Sequence, residues 1–74
     1  MAKPVFTNWD GRPAIVMSDA SEAVAIIEPG GDWEEVDALD VLSTAPVISS
    51  ADAFRRIFSR RFGSFSIPTR FAKD

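Results

Sequence analysis

Residues 18–32 read SDASEAVAIIEPGGD. How this stretch is read sets the fold, because a hairpin signal precedes it and everything else follows from where it leads. Asp19 with Glu22 three residues on fits a capping box, and Ser18 is a second candidate cap. Ala20, Ala23, Val24 and Ile27 stand at helical spacing. Pro29-Gly30-Gly31 stops a helix. The pattern predicts a first helix of about ten residues.

Upstream, residues 3–9 (KPVFTNW) and 12–17 (RPAIVM) flank Asp10-Gly11. Asp-Gly between apolar runs is the strongest short-range hairpin signal, since a type I′ turn needs positive φ at both central residues. With those two residues as the loop, Trp9 faces Arg12, Thr7 faces Ala14, Phe6 faces Ile15 and Val5 faces Val16. Phe6, Ile15 and Met17 share the face taken as buried. Trp9 and Arg12 lie on the other, placed for a cation–π contact. Pro4 and Pro13 donate no ladder bond and belong at strand ends or edges.

Downstream, Asp32 is the expected cap of a second helix over WEEVDALDVLST, with Glu35 at the box position and Pro46 ending it. Its apolar residues spread around the wheel. Val47-Ile48 reads as a short apolar link. Ser49 or Ser50 caps a last helix over residues 50–62, where Phe54, Ile57, Phe58 and Phe62 form one apolar stripe. Burial of that stripe makes Phe58→Ala an expected loss of roughly 3–5 kcal/mol. Arg55, Arg56 and Arg60 fall outside the stripe. Arg61 projects near its centre, which calls for an acidic partner or a frayed end. Gly63 is a natural cap. SFSI alternates and suits a short C-terminal strand; residues 69–74 read as a loose tail. The fold expected is α+β: one domain over residues 1–74, ordered β-β-α-α-α, with that short strand as an addition.

The chain has 74 residues, no Cys and no His. Disulfides, thiolate metal sites and the commonest neutral-pH base are thereby removed. Self-association, as in a homodimer, is the remaining support for so small a core. No apolar run reaches the ~18 residues of a membrane span, and the start lacks a signal-peptide pattern. A soluble, cytoplasmic protein that binds no membrane is expected.

The net charge of −3 is unevenly spread. Residues 1–50 carry two basic and nine acidic residues, a balance of −7; residues 51–74 carry six and two, a balance of +4. Such a split signals a surface for a charged partner, or two halves that attract each other within the fold. The candidate partner-binding residues are Arg55, Arg56, Arg60 and Arg61, the acids Glu34, Asp37 and Asp40, and Trp9. The acidic run 32–40 lacks EF-hand spacing, and Pro29–Asp32 lacks the Lys-Ser/Thr of a P-loop. No catalytic constellation stands out. A non-enzymatic module without cofactor or metal is expected.

Phe54, Arg56, Phe58 and Gly63 form F-x-R-x-F-x4-G, which resembles the last recognition-helix region of AraC-type regulators. That likeness implies DNA contact by the arginines. A broader likeness is carried by Lys3-Pro4-Val5, Gly11-Arg12, Val16, Ser18, Glu22-Ala23, Trp33 and Ala53-Phe54. It resembles the bacterial domain of unknown function 982 family, although Glu34 stands where that family has a proline after the Trp. The family has no assigned activity, so the likeness implies a fold and no chemistry. The leading expectation is a small protein-binding or regulatory module, an inhibitor or anti-activator acting through charged surfaces. The alternative is a DNA-binding regulator using the helix over residues 50–62.

Overall fold

A computed structural model describes residues 2–72. β1 (Pro4–Trp9) and β2 (Arg12–Met17) form the expected hairpin in the expected register, Trp9 opposite Arg12 through Val5 opposite Val16. Asp10 and Gly11 have φ of 54° and 84°, the double positive φ of a type I′ turn. The Asn8 side chain accepts from the Gly11 N–H at 2.8 Å and fixes the turn.

The stretch read as the first helix is instead a turn and a strand, β3 (Ala23–Ile26). Asp19 caps a turn, not a helix: its Oδ1 accepts from the Ser21 N–H at 3.0 Å, and Ala20 sits at φ 63°. Met17 N–H then donates to the Glu22 carbonyl at 2.9 Å, which starts β3 antiparallel to β2. All four residues of β3 are buried. Val24 and Ile26 join the phenylalanine core, whereas Ala23 and Ala25 face the other way. A strand covered on both faces shows no alternation, so a short apolar run mimics a helical stripe.

β4 (Trp33–Glu35) pairs with β3, so the second helix begins later than expected. Its cap is Asp37, which accepts from the Leu39 N–H, and α1 runs Ala38–Thr44. Val47-Ile48 is not a link but β5, paired with Phe6 and Thr7 of β1. The strand order is β4-β3-β2-β1-β5, antiparallel throughout. The fold remains α+β, but the β-β-α-α-α order is overturned by this five-stranded sheet.

α2 (Ala51–Phe62) matches the last expected helix, with Ser50 Oγ accepting from the Ala53 N–H and Gly63 closing it at φ 70°. Phe54, Phe58 and Phe62 are buried, but Ile57 is 54% exposed and leaves the stripe. Residues 64–68 form no strand; Phe65 and Ile67 pack against the core as loop residues. Residues 69–72 are not loose: α3 (Thr69–Ala72) buries Phe71 completely, while residues 73–74 of the expected tail lie outside the described residues.

The sheet therefore has two covered faces. On one, Phe6, Ile15, Val24 and Ile26 pack against α2 and α3, with Phe54 at the centre of a ring cluster including Phe6 at 5.0 Å and Phe58 at 5.6 Å. On the other, Val41 of α1 lies fully buried over Ala14, Val16, Ala23 and Ala25. Small residues there let a two-turn helix approach closely. Thr7, the one buried polar residue among those described, donates its hydroxyl to the Ala14 carbonyl at 3.0 Å. Pro13 sits in the central strand without breaking it, because pairing with β3 spans Ala14–Val16 and starts just beyond it.

Candidate functional site

The two helices on opposite faces sort the candidate residues by sign. Glu34 pairs with Ala25 and shares its face, the face covered by α1. Asp37 caps α1 and Asp40 lies in its first turn, so the three acids stand on one side of the molecule. All three are exposed, as are Leu39 at 69% and Leu42 at 37%.

Trp9 belongs to this side as well. Its indole Nε1 donates to Asp40 Oδ2 at 3.2 Å, and the Arg12 guanidinium lies 5.5 Å from its ring. These groups line an open cleft of about 570 Å³ with Asn8, Asp10, Thr44 and Pro46. Thr44 Oγ1 and Ser43 Oγ bond back to the Asp40 carbonyl, which ties the end of α1 to this cleft.

The opposite side belongs to α2. Arg55, Arg56 and Arg60 are exposed, with Ile57 among them. Arg55 pairs with Asp52 at 3.3 Å, an exposed i,i+3 contact of little energetic weight. Arg56 and Arg60 have no ion-pair partner among the described residues. Arg61 pairs with no acid among the described residues and lies within α2. Its guanidinium lies 5.3 Å from the Phe62 ring, and its Nη1 would sit 3.4 Å from a Cβ on Gly11, so it leans over the hairpin turn.

The two charged parts of the chain scarcely neutralise each other. Among the described residues one ion pair joins them, Arg70 to Glu22 at 2.7 Å. Asp19, in the β2–β3 turn, is held below the usual carboxylate range chiefly by the Ser21 hydroxyl. No cluster of three or more metal-ligating side chains forms among the described residues.

The structure brings Trp9 and Asp40 together and leaves the candidate arginines of α2 without an ion pair to Glu34, Asp37 or Asp40. Sequence reasoning missed Ile57 and Leu39 as surface residues. Ile57 lies at helical spacing with the phenylalanines, a pattern that reads as core; the spread of apolar residues around the second helix is the available signal for Leu39. Arg12 faces Trp9 as the hairpin register predicts, and it lines the same cleft as Asp40.

The class these features define is a small α+β domain: an antiparallel sheet with an acidic helix on one face and a basic helix on the other. No helix among the described residues is long and apolar enough to cross a membrane. Set against known protein families, curated proteins and solved structures, the chain matches none of them.

Proposed function

We propose that this chain is a non-enzymatic protein-binding module that docks an acidic partner on the outer face of α2, in the manner of an inhibitor or anti-activator. The observation that carries the reading is Ile57, 54% exposed beside Arg56 and Arg60, which have no ion-pair partner among the described residues. An apolar centre inside a charged rim suits a protein surface, where desolvated contacts hold and charges steer. A phosphate backbone makes no use of an exposed isoleucine. The alternative, DNA recognition by α2, draws on the same arginines but has less support. α1 and α2 lie on opposite faces of the sheet and do not form the two-helix unit that seats a recognition helix in the major groove. A cytoplasmic setting and self-association belong to the same proposal.

The test is capture of partners from host lysate by the full chain, alongside duplex DNA titrations at low and high salt. A defined acidic partner is expected, lost in Arg56→Glu/Arg60→Glu and weakened in Ile57→Ala while circular dichroism stays native. Duplex binding that falls steeply with salt, weakens on Arg56→Ala and ignores Ile57→Ala would support the DNA reading in its place.

A further inference from the structure

The sheet ends differently at its two edges. In β1 the even-numbered residues turn their backbone groups outward, as the bond from the Asn8 N–H to the Pro46 carbonyl shows. β5 covers Phe6, and Pro46 takes the Asn8 donor. The next outward residue, Pro4, has no N–H to offer. β5 is the edge strand on this side and is only two residues long, so Val47 alone turns its backbone outward and the edge is blunted.

β4 has no such guard. The Val36 N–H donates to the Ala23 carbonyl at 3.1 Å, so Val36 and Glu34 turn their backbone toward β3. By alternation, Trp33 and Glu35 turn their N–H and C=O groups away from the sheet. No turn, loop or cap hydrogen bond among the described residues takes these groups up. The exposed side chains of Glu34 and Glu35 stand on either side of this edge. A second copy pairing here, β4 against β4, would set glutamates against glutamates, which disfavours self-association through this edge.

The geometry points to β4 as a strand-addition site for an extended, lysine- or arginine-rich segment of a partner protein. Two N–H and two C=O groups supply the main-chain bonds, and the glutamates select basic residues on both faces of the added strand. The site is separate from the arginine face of α2, and either one can fail without the other.

The test uses the full chain, labelled with nitrogen-15, and two synthetic probes: a capped hexapeptide alternating lysine and valine, and its glutamate counterpart. The lysine peptide is expected to shift the amide signals of Trp33 and Glu35 and to slow their hydrogen exchange. Glu35→Pro removes one outward donor while leaving the bonds to β3 in place, and is expected to weaken binding roughly tenfold. Glu34→Gln/Glu35→Gln is expected to weaken it and flatten its salt dependence, whereas Arg56→Glu leaves it unchanged. Should Glu35→Pro fail to fold, a lysine peptide N-methylated at alternate residues serves instead; it cannot form the ladder, and its binding is expected to vanish. Equal binding of the glutamate peptide, undiminished binding of the N-methylated one, or shifts confined to α1 would overturn the proposal.

Discussion

Asp19 shows how one side chain diverts the chain from helix to strand. Its carboxylate takes the Ser21 N–H at 3.0 Å, a local bond that closes a turn as readily as it caps a helix. With Ala20 at φ 63°, the backbone reverses and sends residues 23–26 back along β2. The Ser21 hydroxyl, together with its N–H, lowers the Asp19 pKa. A depressed folded-state pKa gives a stabilising contribution that is full above the ordinary carboxylate value and fades as pH falls through the lowered one. Ser21→Ala is expected to move the Asp19 midpoint upward, read by carboxyl-carbon NMR titration; an unmoved midpoint would contradict the hydroxyl's role.

At the scale of the element, α2 separates what its periodicity shows from what it hides. Phe54, Phe58 and Phe62 recur every four residues and are all buried, as an apolar stripe should be. Ile57 lies at the edge of that stripe and is 54% exposed. Phe58→Ala is expected to cost roughly 3–5 kcal/mol, whereas Ile57→Ala should stay within about 1 kcal/mol, both by chemical denaturation. Equal costs would place Ile57 in the core after all. The hairpin was legible to the residue because Asp-Gly fixes both turn type and register, and α2 because Ser50, the stripe and Gly63 agree. β3 was not legible: Ala23-Val24-Ala25-Ile26 is buried on both faces, and nothing in its own pattern distinguishes that from one side of a helix. β4 and β5 are three and two residues long, too short to carry a period, and their pairing is set by neighbours distant in sequence. Phe71 was legible as apolar but not as buried, since the place it fills is made by the whole fold.

At the scale of the whole molecule, one strand converts a hairpin with helices into a sheet with two covered faces. That arrangement places α1 and α2 on opposite faces of the sheet, so the acidic and basic parts of the chain leave each other largely unneutralised among the described residues. For the candidate site, the sequence showed which residues were charged but not how they divide: the acids with Trp9 on one face, the arginines on the other. The division depends on β3 being a strand, because a helix there would leave α1 no sheet face of alanines to cover. The most direct measurement is a nuclear Overhauser spectrum of the full chain across residues 14–26. Ala14–Ala25 and Val16–Ala23 are non-hydrogen-bonded antiparallel pairs, whose α-carbons approach to about 4.5 Å. Strong Hα–Hα cross-peaks between the members of each pair are predicted. Sequential amide–amide cross-peaks running from Ala20 to Ile27, with no contact to β2, would contradict the sheet and the two-faced surface built on it.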